Sequence, residues 1–235
     1  MQRALLVAIV CFCCVSSFGQ LKPALRWADG APGCAVRAEE DGHTYYSISS
    51  PDFDITLAVD RQELEKVRRR AIPMIGGLLS IRYKGSDKLL VFQNMTTLEF
   101  VKHFHLLQHS LDPDTMLKQL QQNMDDLSDE VEHRELRKHP DQKPQKEAEL
   151  QQRLKDYTEM MDFISTHALR GSTLDASNPS ASGWVFFSTK NRWIGPWRRP
   201  EQLILRIPVE NVVVEFPFEL PPKYGTVDLR KRTGE

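Results

Sequence analysis

His103 and His105 stand two apart in the stretch TLEFVKHFHLL, and Glu99 precedes the first of them by four residues. Read as a strand, this spacing puts all three side chains on one face, because alternate residues of a strand point the same way. Two imidazoles and a carboxylate can hold zinc, which takes nitrogen and oxygen ligands at about 2.0–2.2 Å. The competing reading is an ordinary exposed strand face that binds nothing. A helix capped at Thr97 is the rival for the element itself.

A second group is richer in charge and aromatic surface. In KNRWIGPWRRPEQ, the residues Arg192, Trp193, Trp197, Arg198 and Arg199 crowd into one loop around Gly195 and Pro196. Guanidinium over indole is a favourable cation–π pair, and Trp and Arg are enriched where proteins make contacts. Such a loop suits an anionic surface or an envelope protein as partner. The alternative is that the tryptophans cover the end of the core while the arginines remain in water.

Nucleophilic and cofactor chemistry finds no footing. The chain has no Gly-x-Ser-x-Gly elbow, no Ser-x-x-Lys and no phosphate-cradling glycine loop; MIGGLLS lacks the lysine and hydroxyl that grip phosphate and magnesium. No cofactor is expected. Basic and acidic residues number 31 and 32, so the chain as a whole makes no case for nucleic acid.

The first 19 residues, MQRALLVAIVCFCCVSSFG, have a positive n-region at Arg3, an apolar run from Ala4 to Val15, and small residues at Ser17 and Gly19. That is the pattern of a secretory signal cleaved after Gly19. The apolar run is too short for a spanning helix, which needs about 20 residues, so no transmembrane span is expected after cleavage. A secreted or periplasmic location follows. Three of the four cysteines leave with this segment, and Cys34 alone cannot form an intrachain disulfide.

The elements that must position these residues come from hydrophobic period. Residues 20–42, with their prolines and glycines, read as a loose N-terminal arm. Residues 43–110 and 171–222 carry period-2 runs. In one, Phe53, Ile55, Leu57 and Val59 share a face; in another, Leu203, Leu205, Ile207 and Val209 do; in a third, Val212, Val214, Phe216 and Phe218 do. The run LLSIRYKGSDKLLVF reads as a hairpin with Leu90 and Phe92 inward, and TLEFVKHFHLL as one strand with Phe104 and Leu106 inward. Pro217 belongs on an edge or strand end, since it cannot donate a ladder bond.

Residues 111–170 change to helical period. Asp112 can cap and Pro113 suits the first position. Leu117, Leu120, Met124, Leu127 and Val131 make one seam; Leu150, Leu154, Tyr157, Met161, Ile164 and Ala168 make another, ended at Arg170-Gly171. Two such seams predict an antiparallel helical hairpin, a surface through which the protein could self-associate. Residues 223–235 form a basic tail.

The pattern TLDASNPSASGWVFF followed by LILRIPV resembles exported bacterial immunoglobulin-like β-sandwich domains of unknown function. Thr173, Leu174, Gly183, Trp184, Val185, Phe187, Leu205, Ile207, Pro208 and Val209 carry the resemblance. It implies a mainly β fold: an immunoglobulin-like antiparallel β-sandwich carrying a long antiparallel helical hairpin as an α insertion. No catalytic residue comes with it. The functional expectation is an exported, non-enzymatic binding or structural protein of the cell envelope. The alternative is a secreted or periplasmic hydrolase using the His103, His105 and Glu99 set.

Overall fold

The computed structural model describes residues 23–40, 43–60, 72–138, 140–190, 201–220 and 228–229. The fold is mainly β, with mostly antiparallel sheets and two long helices. The first sheet runs in the order β1 (Ala24–Arg26), β12 (Val212–Leu220), β11 (Glu201–Val209), β7 (Thr97–Phe100), β8 (Leu106–His109), and β13 (Asp228–Leu229) also pairs with β12. The second runs β10 (Ser180–Ser188), β5 (Met74–Tyr83), β4 (Phe53–Asp60), β3 (His43–Ser49), β2 (Cys34–Ala38). A two-stranded piece joins β6 (Leu89–Val91) to β9 (Ser172–Leu174).

Both larger sheets turn their alternating apolar residues into one core. Ile55 and Leu57 of β4 meet Leu203, Leu205 and Ile207 of β11 and Val214 and Phe216 of β12 within it. The period-2 readings of β4, β11 and β12 hold, because each of these strands has one face in this core. Pro217 is more interesting. Val213 N–H bonds Pro23 O and Trp27 N–H bonds Glu215 O, so odd-numbered residues of β12 face the β1 side. Pro217 shares that phase and falls between the stretches paired with β1 and with β13, where a missing N–H breaks no ladder.

Three expectations are corrected here. The arm is not loose: it supplies β1 to one sheet and β2 to the other, and Trp27 is buried edge-on against Tyr46. Cys34 is a free, half-buried thiol on β2. The LLSIRYKGSDKLLVF hairpin does not form, because β6 leaves the β5 sheet and pairs with β9. Its phase is shifted by one residue, so Leu89 and Val91 are buried while Leu90 and Phe92 are 55% and 57% exposed.

The helices are α1 (Pro113–Glu130) and α2 (Lys143–His167), joined through a π turn at Val131–Glu135, a short α turn at Leu136–Lys138 and a 3-10 turn at Pro140–Gln142. Asp112 caps α1 as expected: its Oδ2 accepts from Thr115 N–H at 2.9 Å and from the Thr115 hydroxyl at 2.7 Å. Those two bonds hold the Asp112 carboxyl below the usual carboxylate range, against some burial and helped by Arg170 and Lys118. The second helix stops earlier than Arg170-Gly171 suggested, with Ala168 extended as its C-cap. From there Leu169 N–H bonds Trp184 O at 2.9 Å and the chain runs along β10.

Met116, Leu120 and Leu127 of α1, with Val131 just after it, meet Leu150, Tyr157 and Ile164 of α2 in a second apolar cluster, completed by Met74 and Phe186 from the β5–β10 sheet. Sheet contact explains why Met116 is buried although the seam reading passed over it, while Leu117 and Met124 are only half-buried. It also explains GWVFF. Val185 and Phe187 enter the main core, and Phe186, with Trp184 against it, faces the helices. A strand covered on both faces reads as continuous apolar sequence. Gly76 lies opposite Phe186, where a Cβ would come within 3.0 Å of the ring.

Candidate functional site

The residues expected to form a metal set sit on a hairpin, not on one strand. β7 ends at Phe100, a turn covers 101–105, and β8 returns with Phe100 opposite Leu106. Phe104 and His105 both have φ of 54°, the left-handed region that non-glycine residues seldom enter. Alternation continued through this turn in the sequence, which is why it read as unbroken strand. Phe104, expected in the core, is 90% exposed.

The turn separates the two histidines. His105 Nδ1 lies 2.5 Å from Glu99 Oε1, whereas His103 Nδ1 lies 3.1 Å from Glu201 Oε2. Glu99, only 4% exposed, is also paired with the Arg206 guanidinium, whose Nε bonds Glu215 Oε1 at 2.9 Å. A buried carboxylate needs such partners. Arg206 is that partner, and it ties Glu99 to Glu215. Among the described residues no three His, Cys, Asp or Glu side chains are grouped as a metal site would require. Glu99 and His105 are therefore brought together as expected, His103 is not, and Arg206 and Glu215 were missed. Their cue was parity: Arg206 and Glu215 fall on the non-core phase of β11 and β12, opposite one another in the register.

The larger concavity lies elsewhere. A cleft of about 610 Å³ opens between α1, the start of β5 and the end of β10, with α2 closing one side. Met74, Met116, Leu127 and Tyr157 line it with apolar surface. Along α1 the polar residues Gln119, Asn123, Asp126 and Glu130 form one wall, spaced four, three and four apart and so aligned on one helix face. Arg153 of α2 and Lys190, just beyond β10, contribute positive charge from the other elements. Its volume falls within the range of small-molecule sites, roughly 300–1,000 Å³. The cue in the sequence was the polar row beside the apolar seam, but a polar row reads equally as a solvated helix face.

The expected binding loop, with Arg192, Trp193, Trp197, Arg198 and Arg199, lies outside the described residues, as do residues 1–19. Lys190, exposed at the cleft, is the last described residue before that loop. No described helix is long and apolar enough to cross a membrane. Comparisons with protein-family models, with curated proteins and with solved structures find no match to this chain.

Proposed function

We propose that this protein is an exported, non-enzymatic binding module of the cell envelope that takes its ligand in the cleft between α1 and the β5–β10 sheet. The observation that carries the reading is the cleft itself: a concave surface with an apolar floor and convergent polar groups, lined mostly by a helix and two strands. We read the two sheets around one core as an immunoglobulin-like sandwich and the two helices as a hairpin inserted into it. In support, the sheets share the main core, and the helices share a second core with one outer sheet face. Export rests on the n-, h- and c-regions of residues 1–19. Binding is preferred to hydrolysis because the two histidines of the hydrolase reading engage different carboxylates.

The test uses an amphiphilic probe, anilinonaphthalenesulfonate, titrated against the purified protein by calorimetry and fluorescence. One saturable site is expected. Gln119→Trp, a change at an exposed cleft position, should fill the cleft and abolish that site without lowering the melting temperature. Probe binding that survives Gln119→Trp would place it elsewhere and overturn the cleft reading. Export is checked separately, by sequencing the N-terminus of the protein from the exported fraction, which should begin at Gln20.

A further inference from the structure

We infer that the cleft is a groove for an extended peptide of about eight residues, carrying basic side chains toward α1. This deepens the cleft reading above and rests on it. Shape decides first. The lining residues on the α1 side run from the cap Asp112 to Glu130, which at 1.5 Å per residue is about 27 Å of wall. An extended chain, rising about 3.3 Å per residue, matches that length with about eight residues.

The strand edge beside the groove supplies the second argument. Thr189 N–H bonds Pro73 O, so odd-numbered residues at this end of β10 face β5. Even-numbered ones face outward. Phe186 O accepts from Leu111 N–H at 2.7 Å and Trp184 O from Leu169 N–H at 2.9 Å. This edge has thus already recruited two extended segments of the chain's own backbone. Ser188 is next in the same phase, and it lines the groove. An added strand would continue a pairing that β10 makes twice already.

Side-chain chemistry sets the sign. Gln119 and Asn123 offer amides that match peptide groups in both donor and acceptor capacity. Beyond them Asp126 and Glu130 offer carboxylates, and no side-chain hydrogen bond or ion pair joins any of these four to another described residue. An alkyl chain laid along this wall would strip water from polar groups and return nothing. Lysine or arginine side chains facing α1 would instead meet the carboxylates. Lys190 and Arg153 stand on the other elements, where the peptide backbone or an acidic side chain would face them.

Calorimetric titration of the purified protein with two capped octapeptides tests this. One alternates lysine with leucine and serine; the other has glutamate in place of lysine. The lysine peptide should bind, more weakly as salt rises, and the glutamate peptide should bind at least about tenfold more weakly. Asp126→Asn combined with Glu130→Gln should weaken the lysine peptide about tenfold or more, without weakening the anionic dye and with the melting temperature unchanged. Equal affinity for the two peptides, or indifference to the double substitution, would overturn the inference. If neither peptide binds but the dye is still blocked by Gln119→Trp, the peptide assignment fails and the cleft reading stands. If Gln119→Trp blocks nothing, both fail.

Discussion

Gly183 is where a single methyl group should do most damage for its size. A Cβ built there would sit 2.4 Å from Leu169 N and 2.5 Å from Leu169 Cα, with Ala168 C at 2.8 Å. These are backbone atoms, so no side chain can swing aside. Ordinary carbon contacts begin near 3.5 Å, so Gly183→Ala must push the segment leaving α2 about 1 Å away from β10. That displacement breaks the bond from Leu169 N–H to Trp184 O and leaves a buried donor unpaired, at roughly 1–3 kcal/mol. Leu169, 1% exposed in the main core, is shifted by the same movement and loses contact on one side. Together these give about 3 kcal/mol, or roughly 6–12 °C in melting temperature for a domain of this length. The assay is thermal unfolding followed by circular dichroism and calorimetry, with Gly171→Ala as control. At Gly171 the nearest atom to an added Cβ is Val91 O at 3.6 Å, an ordinary contact, and a shift below about 2 °C is expected. A Gly183→Ala protein melting within about 2 °C of the parent would refute the reasoning, because it would show that the α2 exit does not press on β10.

The helices share their core with the sheet, so Leu120→Ala, at a fully buried position beside Met74 and Phe186, should cost about 2–5 kcal/mol and lower helix and sheet signals in one transition. Helical signal lost while strand signal persists would show instead that the helices are an independent appendage. Alkaline titration offers another check. Tyr83 donates to Glu210 Oε1 at 2.5 Å, and this bond, with burial and the nearby carboxylates, pushes the phenol up to about 12. The folded protein then holds that proton more tightly than the unfolded chain does. Its contribution to stability is present below pH ~10 and lost as pH rises toward about 12. One of the five tyrosines should show its phenolate absorbance late, and Glu210→Gln should return it toward the ordinary value. A titration unchanged by that substitution would remove Glu210 as the cause.

Local rules were legible in the residues themselves. Phe53, Ile55, Leu57 and Val59 alternate because one face of β4 meets the core, and nothing distant is needed to see it. Asp112-Pro113 announces the start of α1 because cap and first-turn chemistry are short-range. What failed was everything that depends on a partner far along the chain. The turn at 101–105 contains no glycine to mark it, and its two histidines are held by carboxylates on β11 and β7. β6 was misphased because its partner, β9, lies beyond both helices and not across the nearby loop. Arg206 joined Glu99 to Glu215 only when register placed β11 between β7 and β12. The cleft likewise exists only because α1 packs on β5 and β10, two paired strands that lie on either side of the helices in sequence. Sequence alone sets the apolar face where the period is clear, as in β4 and β11; which elements meet, and hence which polar faces come to confront one another across a groove, is decided by long-range burial.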